Sequence, residues 1–450
     1  METEMYSEVQ PIEAYLNRPL KCSCGRTHYV PIKRISIGPG ALAELPGCVR
    51  ELGFSRPCIV CDPTTYKIAA KRCCELLEAD GTEATVHIIE HLGFDEATLG
   101  ELVLALPHDA DCVIAVGTGS ITDLVRLLTY KLGLPGITVA TGAPMDGFAA
   151  SIGIVNVNGL KCTLQAKSTE AIIGDTDILK GAPYRMTVAG FGDLIGKVSC
   201  INDWKLSHII NGEHICPKLI ELVQSCVGEI LKDAPKIKER DPEVLGRVMN
   251  GLVLSGAAIS LYGTSRPASG AEHHMSHYWE ALGDQRGEPY AMHGEQVAVG
   301  TVLSLRLAEE LLAAEVDFDA AREHARGFDR SKWEAEIRRA YGQAADEVIS
   351  IENTAGKNEP EKVLKRIDSI EQNWDDIRAQ LKTLPPSAEL QKLLDFIGCP
   401  SRPEDIGIDR ALLADTIVYS KEVRDRYTIM QLIWDLGLSE KLAAKLADRS

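Results

Sequence analysis

The chain has 450 residues, with 48 Lys and Arg against 65 Asp and Glu, a formal net charge of −17, and 45% hydrophobic against 25% charged residues. That balance belongs to a folded globular chain with room for two or three domains and excludes disorder over most of its length. An acidic chain without a basic stripe also excludes a nucleic-acid binder and a polybasic membrane-surface protein. No apolar run approaching the roughly 20 residues of a membrane span is read. The start, Met1-Glu-Thr-Glu-Met5, has no basic segment followed by an apolar one, so a cytoplasmic protein without membrane insertion is expected. Thirteen cysteines, scattered and odd in number, suit reduced thiols.

From about Pro31 to Val139, short β-branched runs alternate with helical ones. Pro57–Asp62, Glu83–Ile89, Asp111–Val116 and Gly136–Ala140 read as strands, and Lys67–Ala79, Asp95–Leu106 and Ile121–Tyr130 as helices. This spacing predicts a parallel sheet covered on both faces. Ile152–Val157 and Ala171–Gly174 are strand-like. From Tyr184 apolar residues recur every three or four positions, as in Cys216–Leu231, Glu243–Leu261, Glu295–Leu312 and Lys332–Tyr341. The fold class expected is therefore α/β with a parallel Rossmann-like sheet over residues 1–183, then an all-α domain over 184–450. From about Asp317 the latter is a charged helical extension.

Three strand ends carry polar or glycine-bearing turns. Gly117-Thr118-Gly119-Ser120-Ile121 lets backbone N–H groups approach a pyrophosphate at a helix N-terminus, though the third glycine of the dinucleotide fingerprint is missing. A plain strand-to-helix turn is the alternative. Asp62 either accepts hydrogen bonds from ribose hydroxyls or caps the next helix. Thr141-Gly142-Ala143-Pro144-Met145-Asp146 follows the fourth strand at the same edge, where open α/β sheets bind ligands.

The histidines form the strongest constellation. His273 and His277, four apart, share a helix face, with His274 turned roughly 100° away. On one straight helix His293 would lie about 30 Å from His273; the Gly283–Pro289 segment breaks the helix and lets the chain return. Asp193, in Gly190-Phe-Gly-Asp193-Leu-Ile-Gly-Lys197, offers a carboxylate just after a Gly-rich turn in apolar surroundings. One Asp and two His with an open position form a catalytic metal set. The other reading makes Asp193 a helix cap and the histidines interface residues. Cys22-x-Cys24-x-x-x-His28 also suggests zinc, but its first gap is tighter than usual and no fourth ligand is evident nearby; His28 otherwise reads as a surface residue.

These residues resemble a family. Gly117–Asp123, Met145–Gly147, Gly190–Lys197, Asp203–Leu206, the run Ser265-Arg-Pro-Ala-Ser-Gly-Ala-Glu-His-His274 and His293–Val297 are similar to metal-dependent sn-glycerol-1-phosphate dehydrogenases. That family lies within the superfamily of glycerol dehydrogenases, iron-containing alcohol dehydrogenases and dehydroquinate synthases, whose fold is then expected. The Cys22–His28 opening and the helical tail resemble the bacterial form found with arabinose-utilisation genes.

The resemblance implies that Asp193, His273 and His293 bind a metal and that Asp146, Asp193 and His277 lie near the substrate. It implies NAD or NADP contacts from Asp62, Gly117 to Ile121, Thr141 to Pro144 and the Ala150 position. Two departures stand out: Ala150 where the family has Ser or Thr, and Pro144 where it has Ser. Lys197 occupies the place of a further histidine ligand in iron-containing relatives, which favours Zn2+ or Ni2+ over iron. Lys197 either meets a substrate phosphate or neutralises Asp193; Arg266 either meets the phosphate or braces the loop before the histidine helix, and Lys161 is a third candidate cation. The implied reaction is reversible reduction of dihydroxyacetone phosphate to sn-glycerol 1-phosphate, with proton delivery through His277 or water, by a homodimeric enzyme acting on one small phosphorylated substrate. Alternatives are a glycerol or polyol dehydrogenase, a dehydroquinate synthase-like cyclase, and a dinucleotide-binding regulator that has lost catalysis.

Overall fold

The computed structural model describes residues 3–4, 11–157 and 160–448, with the backbone alone for 3–4 and 160–162. Its strands are β1 (Thr3–Glu4), β2 (Leu20–Lys21), β3 (Thr27–His28), β4 (Arg34–Gly38), β5 (Pro57–Cys61), β6 (Thr85–Ile88), β7 (Cys112–Gly117), β8 (Gly136–Ala140), β9 (Ile152–Val157), β10 (Leu160–Gln165) and β11 (Ala171–Asp175). Six of them form one sheet in the order β4-β11-β8-β7-β5-β6, with every pair parallel. β5, β7, β8 and β11 are buried along their whole length, as strands covered on both faces must be. Strand alternation divides β7 between two cores: Cys112, Ile114 and Val116 pack with Leu45, Val49 and Leu77 on one face, and Val113 and Ala115 with Leu124 and Leu128 on the other. β9 and β10 instead form a separate antiparallel hairpin.

The chain leaves β5 for the edge strand β6 and returns to pair β7 on the other side of β5. Such a reversal opens a crevice beyond the carboxyl ends of the two strands, where open α/β sheets take ligands. Asp62 and the Gly117 turn stand at that crevice.

From Tyr184 onward every regular element among the described residues is helical. By packing, the chain divides into two compact units that do not follow a cut at residue 183: Met1–Leu194 with Cys216–Ser265, and Ile195–Ile215 with Arg266–Ser450. The Tyr184–Asn211 helix contributes to both. The Pro242–Tyr262 helix joins the first unit because its small residues permit close approach: a Cβ on Gly256 would lie 2.4 Å from the Asp146 carbonyl oxygen. This helix also corrects the expectation about apolar runs. It is long and apolar enough for a membrane span by length and composition, but it is mostly buried within the fold, as a core helix is. The second unit has its own core, including Leu206, Met275, Leu303, Ile337, Ile367 and Leu432.

Candidate active site

In the first unit, three strand ends shape a cradle. Thr118 is the N-cap of the Gly119–Leu132 helix, with no hydrogen bond from its side chain to that helix end. Side chains at the glycines would collide with neighbours: a Cβ on Gly119 would come within 2.7 Å of Met145 Cε, and one on Gly142 within 2.8 Å of Met186 Sδ. Ile121 is buried against Gly117, and Ser120 is half-buried. The Thr141 N–H donates to the Gly117 carbonyl at 3.1 Å, tying the second strand end to the third. Ala143 and Ala150 are buried and Pro144 half-buried. Asp62 caps the Pro63–Thr65 turn, its Oδ1 accepting from the N–H groups of Thr64 at 2.7 Å and Thr65 at 2.8 Å.

Asp193 does not follow a Gly-rich turn. It lies fully buried inside the 28-residue Tyr184–Asn211 helix, so it is not a cap either. Gly190 serves packing: a Cβ there would lie 2.0 Å from the Ala143 carbonyl oxygen, so only glycine lets the helix touch the Thr141–Asp146 loop. That contact brings two acids together. The Asp146 N–H donates to Asp193 Oδ2 at 2.8 Å, and the Ser255 hydroxyl donates to Asp146 Oδ2 at 2.7 Å.

The second unit gathers the three expected histidines. The Ala271–Arg286 helix carries His273 and His277 and ends at Gly287, whose φ of +62° reverses the chain within the Gly283–Pro289 segment read as the break. Gly283 instead admits the Tyr290 ring of the returning segment, which leads into the His293–Ala313 helix. Ring centroids are 5.1 Å apart for His273 and His293, 5.7 Å for His277 and His293, and 6.2 Å for His273 and His277. His274 points elsewhere and is buried; burial, with Arg426 and Arg424 adding to it, holds its ring neutral.

Two buried carboxylates that sequence reading passed over orient these rings. His273 Nδ1 lies 2.7 Å from Glu272 Oε1, and His293 Nδ1 lies 3.1 Å from Glu280 Oε1. A carboxylate partner fixes the proton on Nδ1 and leaves the Nε2 lone pair as the ligand, the arrangement found behind metal-bound imidazoles. Glu272 stays ionised despite its burial, because His273, the Gly270 N–H and Ser199 together hold its pKa below the ordinary value. The only advance signal was spacing, with Glu272 beside His273 and Glu280 one helical turn after His277.

His277 Nδ1 faces Glu280 Oε2 at 3.1 Å, and its Nε2 lies 3.2 Å from Arg424 Nη2. Since a guanidinium only donates, Nε2 accepts and Nδ1 carries the proton. Burial, with Arg424 adding to it against the pull of Glu280, lowers the His277 pKa to about 3. Arg426, also missed, is half-buried and donates to the Ser269 carbonyl at 2.8 Å.

Of the expected phosphate cations, Lys197 is buried. Arg266 forks onto Glu213 at 3.0 and 2.8 Å and donates to the Tyr427 carbonyl at 2.9 Å, which is the bracing arrangement. The Lys161 side chain lies outside the described residues.

Known proteins resemble this chain in sequence and in fold. Residues 36–183 match the model of the iron-containing alcohol dehydrogenases. The chain is 34% identical over 276 residues to glycerol-1-phosphate dehydrogenase (NAD(P)+) of Pyrococcus furiosus, covering 60% of this chain and 77% of that one. It is 28% identical over 441 residues to the enzyme of the same name from Bacillus licheniformis, covering 96% of both. Among solved structures, a probable glycerol dehydrogenase from Sinorhizobium meliloti superposes with a TM-score of 0.61 at 14% identity, over 93% of this chain and 98% of that one, a likeness of fold.

Proposed function

The chain belongs to the glycerol-1-phosphate dehydrogenase family of the iron-containing alcohol dehydrogenase superfamily, and from that premise we propose that it catalyses the reversible NAD(P)H-linked reduction of dihydroxyacetone phosphate to sn-glycerol 1-phosphate. The observation that carries this reading is the histidine cluster with its carboxylate-fixed tautomers, in a chain whose whole length resembles enzymes of that name. We assign Asp193, His273 and His293 as the protein ligands of one divalent cation, Zn2+ or Ni2+. An N/O donor set containing two neutral imidazoles and one buried carboxylate fits such an ion. When bound, the cation supplies Lewis-acid polarisation of the C2 carbonyl and the nicotinamide supplies the hydride.

The chain's own residues do the rest. Glu272 and Glu280 hold the two ligand rings in the tautomer that presents Nε2. Asp146 and Ser255 restrain one another, and we place Asp146 beside the substrate hydroxyls. His277, with a proton at Nδ1 shared with Glu280, is the assigned relay for the proton that the product oxygen acquires, directly or through water. The Gly117–Ile121 turn, Thr141–Pro144 and Asp62 are assigned to the dinucleotide, since they flank the crevice at the sheet's reversal. Homodimeric assembly and a cytoplasmic location complete the reading.

The test is a coupled assay of dihydroxyacetone phosphate with NADH and NADPH after metal reconstitution, followed by chiral analysis of the product. Formation of sn-glycerol 1-phosphate is expected; faster turnover of unphosphorylated dihydroxyacetone, or the opposite enantiomer, would overturn the assignment.

Phosphate recognition needs cations that an acidic chain must concentrate locally. Lys197 remains a candidate, and Arg424 joins it because it is half-buried and already touches His277. Arg424→Gln is expected to raise KM for dihydroxyacetone phosphate at least about tenfold more than for dihydroxyacetone, since a charge-assisted contact contributes about 1.5–3 kcal/mol. Equal effects on both substrates would remove Arg424 from the phosphate site.

A further inference from the structure

A second metal site stands in the first unit, built from residues that the proposed reaction does not use. Cys22 and Cys24 lie on the turn between β2 and β3, and His28 ends β3. Gly25, at a φ of +86°, closes that turn; its N–H donates to the Cys22 carbonyl at 3.0 Å, and the Cys22 N–H donates to the Arg26 carbonyl at 3.1 Å. The turn thereby makes the one-residue gap between the cysteines workable, because Cys24 is folded back toward Cys22. The missing fourth group comes from 188 residues away: Cys216, the N-cap of the Pro217–Asp233 helix, is fully buried against His28.

The four donor atoms all lie within 4.8 Å of one another. Cys22 Sγ and Cys216 Sγ are 3.6 Å apart, Cys24 Sγ and His28 Nε2 3.4 Å, and Cys216 Sγ and His28 Nε2 3.3 Å. Zn–S bonds of about 2.3 Å and a Zn–N bond of about 2.0–2.1 Å, set at tetrahedral angles, put donor atoms about 3.5–3.8 Å apart. These three edges thus come within a few tenths of an ångström of those of a zinc tetrahedron, and the other three are no longer than 4.8 Å. His28 Nδ1 faces the Leu261 carbonyl at 2.7 Å, which places the ring proton on Nδ1 and the lone pair on Nε2, toward the sulfurs.

We propose that Cys22, Cys24, His28 and Cys216 hold one zinc ion in a closed, four-coordinate site of three sulfurs and one nitrogen. With all four positions filled by protein there is no place for substrate, so the ion is structural. It clips the β2–β3 hairpin to the start of the Pro217–Asp233 helix and, through His28 and Leu261, to the end of the Pro242–Tyr262 helix.

Because the proposed catalytic site has no sulfur ligand, sulfur ligation tells the two apart. The full chain carrying His273→Ala and His293→Ala, grown with zinc and exhaustively dialysed, is expected to retain one zinc per chain. Its X-ray absorption spectrum should show three sulfur neighbours and one nitrogen. Adding Cys24→Ser should remove that zinc and lower Tm. An oxygen and nitrogen shell without sulfur, or zinc content unchanged by Cys24→Ser, overturns the site. Should the serine variant fail to fold, cobalt replacing zinc in the chain with its cysteines intact decides: a thiolate-to-cobalt charge-transfer band is expected, and its absence overturns the site. Loss of turnover in the histidine double variant with sulfur-bound zinc retained bears on the catalytic assignment alone.

Discussion

His273→Ala is expected to abolish turnover and catalytic metal binding together. The variant removes one of two imidazoles whose rings lie 5.1 Å apart and leaves Glu272 buried without the ring that helps keep it ionised. Lewis-acid stabilisation of a developing alkoxide contributes several kcal/mol, and each 1.36 kcal/mol is tenfold in rate, so kcat/KM should fall by about 10³-fold or more. Elemental analysis should show the catalytic cation missing at stoichiometric loading. Turnover retained within about tenfold of the parent in a variant that has lost the catalytic cation would show that the histidine cluster does not work through a metal.

Glu422→Ala is expected to cost about 3–5 kcal/mol of folding stability, the cost of breaking a buried ion cluster from one side. Glu422 is buried, with Oε1 accepting from Trp333 Nε1 at 3.1 Å, from Asn358 Nδ2 at 2.9 Å and from Lys421 Nζ, while Oε2 faces Lys357 Nζ at 3.0 Å. Its removal strands two buried ammonium groups, of which Lys421 is already pushed down to about 8 by burial. Glu352, the other acid nearby, is driven toward its neutral form by burial and is a poor substitute. Lys357 also donates to the Arg424 carbonyl at 3.0 Å, so the variant loosens the segment that brings Arg424 to His277.

The same cluster makes stability depend on pH. Burial opposes charge on Glu422, but Lys357 and Lys421 outweigh it and hold the pKa below its ordinary 4.5, at about 2. A carboxyl depressed in the folded state stabilises it above the ordinary pKa, and that contribution is lost as pH falls from about 4.5 toward 2. Denaturant titrations of parent and variant should therefore differ most near neutrality and converge in acid. A neutral-pH difference below about 1 kcal/mol would show that the cluster is not holding the fold.

The parallel sheet was legible because its strands are short, β-branched and bounded by turn residues. Cys112–Gly117 and Gly136–Ala140 stand within a residue of the runs read from sequence. The histidine pair was legible for a similar reason, since i and i+4 share a helix face whatever the rest of the chain does. Asp193 was found as a residue and misread in setting. Glycines at 190 and 192 suggested a turn, whereas Gly190 is small because a carbonyl of another segment passes within reach of its missing Cβ.

What the sequence determined by itself, then, was whatever repeats over a few residues: strand and helix periods, the turn at Gly117, the paired histidines and the motifs of a family. Tertiary structure decided everything that depends on separation along the chain being unrelated to separation in space. It chose Glu280 to serve both His277 and His293, committed Arg266 to Glu213, drew Arg424 from a charged tail to an imidazole, and carried Cys216 to three ligands near the N-terminus. The net charge of −17 shows the same division. Composition fixes the total, but only packing can bury Lys197 and bring a half-buried Arg424 to His277, because a local field depends on which few charges share a low-dielectric site and not on their sum.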